Sequence, residues 1–281
     1  MDTLSNPISI GTPVLAMRAG IYRERQAEGT LACLFRCTWT HTLPSDFQGH
    51  VAIVPDGCCD LIFAGGRLVI VGPDRVAAFP DLERGETVLG LRFRPGAALR
   101  WLDMHLSQIV GMALPLAILR DDISEIEEQL AATPDTADRL ALFHAWAKRH
   151  ADIATEAQPD MDLLFTGLLQ GRVDEHTLSG FGERTFRRRA YDHFGYGPKT
   201  LHRILRLQQM LRLAASQKRD SLAMIAHEAG YADQSHMTRD VRELTTLTPL
   251  DICRQLSSSP RPLLSVFFKN STGLSGNLTE H

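Results

Sequence analysis

The sequence predicts an α+β N-terminal domain, a small antiparallel β-barrel or sheet with added helices, followed by an all-α domain holding two helix-turn-helix units. Three observations predict it. Short alternating segments punctuated by glycine and proline crowd residues 31–96, the periodicity turns helical from about 97, and the charge balance reverses near Gly171. Residues 1–171 carry 14 Lys/Arg against 22 Asp/Glu, whereas 172–256 carry 14 against 10. A basic segment in a chain of net charge −3 points to an anionic partner for the C-terminal part alone.

With 281 residues the chain can bury two cores, and 44% apolar with 22% charged residues is the composition of a globular protein. No apolar run reaches the roughly 18 residues that span a bilayer, and no basic stretch followed by an apolar core opens the chain, so no membrane partner and a cytoplasmic location are expected. Five cysteines, Cys33, Cys37, Cys58, Cys59 and Cys253, are odd in number and show no secreted framework; they are expected as reduced thiols.

LACLFRCTWT, 31–40, alternates so that Leu31, Cys33, Phe35, Cys37 and Trp39 share one strand face. VAIVPDGC and DLIFAGGRLVIVG read as short strands, the latter a hairpin closed by Gly65-Gly66. TVLGLRFRPG is a strand stopped by Pro95. AALRWLDM, ISEIEEQLAA and ADRLALFHAWAKRH are helical. ATEAQPD supplies a linker. The expected boundaries are 1–153 for a sensor or dimerisation domain, 154–160 for the linker, 161–258 for the helical domain and 259–281 for a disordered tail.

The stretch IAHEAGYADQSHMTRD, 225–240, holds the residue types of a metal site, yet its spacing is wrong for one: no HExxH pair and no nearby cysteine completes a ligand set. The apolar periodicity explains it better. Asp220 or Ser221 caps a helix with Leu222, Ile225, Ala226 and Ala229 inward, and Gly230 ends it. Asp233 caps a second helix with Met237, Val241 and Leu244 inward, leaving Ser235, Thr238, Arg239 and Arg242 outward and Gln234 at the edge. Such side chains suit base edges and phosphates. His236 is expected as a packed or hydrogen-bonded scaffold residue beside Asp240.

The segment SLAMIAHEAGYADQSHMTRDVRELTTLTPLDICRQL resembles the second helix-turn-helix of the AraC/XylS family of bacterial transcription regulators. ERTFRRRAYDHFGYGPKTLHRILRLQQMLRLA is similar to the family's first recognition helix, its glycine-proline turn and the long linking helix. In the first unit Phe186 and Ala190 point inward, and Arg184, Arg187, Arg188 and Tyr191 form an arginine-dense outer face. Upstream, RVDEHTLSGFGERT departs from the family: its helix is about one residue short, carries Gly180, and has Gly182 in place of the usual serine cap. Both glycines weaken a helix or its cap by up to about 1 kcal/mol. The first unit is therefore expected to dock less rigidly than the second.

VPDGCCDLIF, GRLVIVGPD and GLRFRPGAA resemble the N-terminal domain of a group of AraC-type regulators, which implies a signal-sensing or dimerising role. Sugar-sensing relatives use a cupin-like β-barrel; the strands here are compatible with one, without the HxH metal motif of enzymatic cupins. The resemblance implies double-stranded DNA as partner and leaves RNA polymerase, a small-molecule effector and a second copy of the chain open as others. Neither a cofactor nor a resident metal is expected. A thiol- or metal-responsive regulator using Cys33, Cys37, Cys58 and Cys59 is one alternative. Against it stands the favoured reading, packing as small apolar residues, with the alternation after Pro55-Asp56-Gly57 sending one of Cys58 and Cys59 inward and the other out. An alkyl-accepting DNA-repair protein fused to helix-turn-helix units is another, against which the PCHR nucleophile motif is missing; no other catalytic fingerprint is present, and the chain is expected not to be an enzyme. The arginines of RFRPG, Arg92 and Arg94, could meet an anionic ligand, although at a strand end they are more often solvated.

Overall fold

Alternating apolar residues between 21 and 115 build one six-stranded antiparallel sheet. The computed structural model describes residues 11–151, 161, 165, 183–216 and 221–257. Strands β2 (Ile21–Gln26), β3 (Phe35–Thr42), β5 (Asp60–Ala64), β6 (Arg67–Val71), β7 (Thr87–Phe93) and β8 (Ala113–Pro115) lie in the order β2-β3-β7-β5-β6-β8. β1 (Val14–Leu15) and β4 (Val51–Ala52) form a separate parallel pair. The sheet is open, with β2 and β8 at its edges, so the domain is the sheet form of the expected α+β fold rather than a closed barrel. Gly65 and Gly66, at φ 54° and 74°, close the predicted hairpin, whose two-residue turn needs positive φ at both positions.

The two faces of the sheet have different coverings. Leu61, Leu91 and Thr38 are cross-strand neighbours on one face, buried under helices α1 (Ala98–Leu102), α2 (Ser124–Ala132) and α3 (Thr136–Ala151) through Trp101, Leu130, Phe143 and Trp146. Asp60, Gly90, Arg92, Trp39 and Glu24 share the opposite face. Trp39 lies so flat on Gly90 that a Cβ there would come within 2.0 Å of the indole.

The predicted face of 31–40 is corrected in two ways. Residues 29–33 form a 3-10 turn that leaves Cys33 exposed, and a bulge between Phe35 and Cys37 breaks the alternation. Phe35 thus packs at a tilt against Phe93 in the core, while Cys37 and Trp39 face Arg92 and Gly90. VAIVPDGC is a strand at Val51–Ala52, continued by a single antiparallel bridge from Ile53 to Ala78.

The C-terminal region is helical: α4 (Glu183–Phe194), α5 (Pro198–Ala215), α6 (Leu222–Glu228), α7 (Gln234–Thr245) and α8 (Pro249–Ser257). Pro198, at the first turn of α5, is pre-set for helix and lacks only an N–H that would go unpaired there. Phe194, Leu201, Ile204, Met210, Ile225, Met237 and Val241 belong to one core, and that core also takes in Leu15 and Cys58 from the N-terminal domain. The domains are tied by hydrogen bonds as well. Gln208 Nε2 donates to Pro55 O at 2.7 Å, Ala77 N to Leu244 O at 2.7 Å, and Leu15 N to Gln255 Oε1 at 2.8 Å, while Gln255 Nε2 returns a bond to Pro13 O at 2.9 Å. The predicted linker 154–160, Gly180, Gly182 and the tail 259–281 lie outside the described residues. Among those described, no helix is long and apolar enough to cross a membrane.

Candidate nucleic-acid interface

The second helix-turn-helix is made by its caps. Ser221 Oγ accepts the N–H of Met224 at 3.2 Å and Asp233 Oδ1 that of His236 at 2.7 Å, each satisfying a helix-terminal donor. Gly230 turns the chain between the helices at φ 81°. Ile225, Ala226, Ala229, Met237, Val241 and Leu244 are buried, Leu222 is partly so, and the opposite face of α7 presents Gln234, Ser235, Arg239 and Arg242 to solvent. Thr238 is half-buried, its hydroxyl donating to Gln234 O at 2.8 Å.

In the first unit Phe186 and Ala190 are buried while Arg184, Arg187, Arg188 and Tyr191 are exposed on α4. Its far end is held by the N-terminal domain. His193 Nδ1 donates to Gly96 O at 3.2 Å, and His105 Nδ1 lies 3.0 Å from Asp192 Oδ1. Gly195, at φ 79°, fits against Val110 and Pro73, where a Cβ would fall 2.5 Å from the valine methyl.

His236 stands edge-on to Tyr231 at 5.5 Å, and its Nδ1 accepts the N–H of Ala232 at 3.4 Å, the scaffold role predicted. Asp240 is not its partner. Asp240 is buried and receives Arg203 Nε at 2.6 Å and Arg206 Nη2 at 3.3 Å from α5. Sequence reasoning missed this joint, although a carboxylate beside the apolar stripe of a helix demands a cationic partner. Among the described residues no group of three or more His, Cys, Asp or Glu could hold a metal.

The cysteines are free and Cys37, Cys58 and Cys59 are packed in the interior, but the expected alternation of Cys58 and Cys59 does not hold. Cys58 and Cys59 both turn away from solvent, Cys58 into the inter-domain core and Cys59 into the sheet-helix core. Burial pushes both thiols, and that of Cys37, well up from the ordinary range, with Asp60 and other acids adding to it, which keeps them protonated and poorly nucleophilic. Arg92 is not solvated either: it pairs with Asp60 through Nε at 3.1 Å and with Asp56 through Nη1 at 3.1 Å, and Trp39 Nε1 donates to Asp60 Oδ1. Arg92, Trp39 and Asp56 of this cluster line a cleft of about 1240 Å³ that runs round the β2 edge, together with Tyr22 and Glu24 from the sheet and Gln208 and Leu211 from α5.

Residues 177–255 match the model of a helix-turn-helix domain family. The C-terminal region is an AraC-type helix-turn-helix domain. Residues 23–115 match a second family, described as a domain of unknown function, DUF6597. No curated protein sequence matches the chain. Among solved structures it is similar to ToxT from Vibrio cholerae O395, at 12% identity and a TM-score of 0.41 over 85% of this chain and 99% of that one. A second form of V. cholerae ToxT gives 11% identity and 0.40 over 84% and 99%. Unsaturated fatty acid bound wild-type ToxT gives 12% and 0.37 over 72% and 85%. This likeness is distant, and the assignment rests on the match of the AraC-type domain. The chain is a DNA-binding transcription regulator.

Proposed function

We propose that the outward residues of α4 and α7 contact two successive major grooves on one face of a non-palindromic DNA site. The observation that supports this is the pair of outward polar faces, exposed Arg184, Arg187, Arg188 and Tyr191 on α4 and exposed Gln234, Ser235, Arg239 and Arg242 with half-buried Thr238 on α7, joined through the single helix α5. A helix of 18 residues is about 27 Å long, comparable to the roughly 34 Å between major grooves on one DNA face. Phosphate contacts supply most of the affinity and the base-facing side chains supply the selectivity. Arg239 reads bases, and Arg188 holds phosphate to a larger extent.

The N-terminal domain senses a small molecule in the cleft between sheet and α5. What favours sensing over dimerisation alone is the cleft wall: Gln208, Leu211 and Ala215 belong to the helix that joins the two DNA-reading units, so an occupant touches the DNA-binding domain directly. Selection of bound fragments from genomic DNA followed by footprinting tests the DNA reading. The full chain should protect about two helical turns without dyad symmetry, with affinity falling about 10³-fold or more from 50 to 200 mM salt if six or more phosphates are neutralised. A folded chain without salt-dependent binding to any DNA overturns it.

A further inference from the structure

We infer that the buried Asp240–Arg203–Arg206 joint is the positioning device that fixes the second recognition helix relative to the first and so sets the spacing between the two halves of the DNA site. The inference rests on the DNA reading just proposed and adds a determinant of specificity that touches no DNA.

The geometry is that of a two-sided clamp. Asp240 lies on the inner flank of α7, between the buried Met237 and Leu244 and away from Arg239 and Arg242. Its two carboxylate oxygens are each taken by a different guanidinium of α5, Oδ1 by Arg203 Nε at 2.6 Å and Oδ2 by Arg206 Nη2 at 3.3 Å. Arg203 reaches a turn further along α7 to Glu243 Oε2 at 2.5 Å. Arg206 lies over the ring of Tyr231 at 4.8 Å, and Tyr231 stands in the turn between α6 and α7. The same two arginines thus grip α7 at two successive turns and the loop before it. Apolar side chains such as Met237 and Val241 bury α7 against its neighbours but are non-directional, and a helix can slide or roll a little on such a surface. Charge-assisted hydrogen bonds of fixed fork geometry do not allow that freedom. Because α5 continues directly from the turn after α4, a roll of α7 on α5 changes the distance and phase between the outward faces of α4 and α7.

One base pair inserted between two half-sites moves the second by about 3.4 Å and turns it by roughly 35°. The test uses the full chain, the site selected by the wild-type protein, and versions of that site with one base pair added or removed between the halves. Wild type should lose about tenfold or more in affinity on either change, the scale of a mismatched contact or more. Asp240→Asn keeps the shape of the side chain and removes its charge; its loss on the same changes should shrink to about threefold or less while base preference within each half is kept. Asp240→Glu, which restores the carboxylate, should recover much of the discrimination. Should Asp240→Asn not fold, Arg203→Gln removes both bonds of a partly exposed side chain and leaves Asp240 with Arg206, and should relax spacing in the same direction. Equal weakening at every spacing, or unchanged discrimination, in the folded variants overturns the inference. Wild-type binding that is sequence-selective yet indifferent to spacing overturns it too and leaves the DNA reading standing, whereas a wild-type protein that selects no DNA removes both.

Discussion

The two helix-turn-helix units are anchored by opposite means. The second carries its own fixtures: caps at Ser221 and Asp233, a glycine turn in ordinary van der Waals contact with Arg206, and the ion-paired joint to α5. The first relies on the N-terminal domain at its described end, through Asp192–His105, His193–Gly96 and the close fit of Gly195 against Val110 and Pro73. Among the described residues, local chemistry near the caps fixes the second unit, whereas α4 joins the helical core through Phe186, Ala190 and Phe194 and is held at its far end by domain docking. In the sensing role proposed above, an occupant of the cleft meets α5, which both units share; loss of the inter-domain contacts would free the docked end of α4, while the second unit, though touched through Ala77–Leu244 and Leu15–Gln255, would keep its caps and its joint to α5.

Substituting the turn glycines should expose the contrast most strongly. Gly195→Ala forces a Cβ to 2.5 Å from Val110 at a left-handed φ and should cost about 3 kcal/mol, seen as a lowered unfolding midpoint and freer proteolysis near α4. Gly230→Ala meets only Arg206 carbons at 3.8 Å, so strain alone should cost about 1 kcal/mol. Equal losses would break the comparison. Removal of the second unit's caps comes next: Asp233→Ala and Ser221→Ala should each cost about 1 kcal/mol in urea unfolding, with the contacts of α4 to the N-terminal domain unaffected.

The smallest effect concerns the loop 72–79, which meets α7 through Ala77. Burial, then Asp56 and Asp60, push the Asp74 carboxyl up to about 6. A carboxyl that is more basic folded than unfolded holds its proton in the native state between about pH 4 and 6, so its unfavourable contribution is absent at pH 4 and complete above 6. Asp74→Asn should therefore stabilise the chain by about 1 kcal/mol at pH 7.5, a figure reduced for partial exposure, and by nothing at pH 4. A gain that persists at pH 4 would show that charge is not the cause.

What was legible in the sequence was local. Leu222, Ile225, Ala226 and Ala229, then Met237, Val241 and Leu244, announce two helices by spacing, and Ser221, Gly230 and Asp233 announce their ends, because caps and turns act within four residues. Gly65-Gly66 announces its hairpin for the same reason. Misreadings arose where a distant segment decides. The bulge after Phe35 is set by pairing with β7, more than fifty residues on, and Cys58 is covered by a core drawn mainly from the C-terminal helices. The Asp240 joint and the Gln208–Pro55 tie link residues 37 and 153 apart, and no periodicity encodes such pairs. The outward arginines were legible as exposed positions, since the inward stripe fixes the opposite face.

The most direct test of the account is selection on randomised DNA with the wild-type chain, Arg239→Ala and Arg188→Ala side by side. If α7 reads bases, Arg239→Ala should bind about 1–3 kcal/mol more weakly and lose preference at positions in one half of the site only, while Arg188→Ala should weaken binding more evenly and lower the salt slope by about one unit. An Arg239→Ala protein that keeps its base preference at every position would contradict the account.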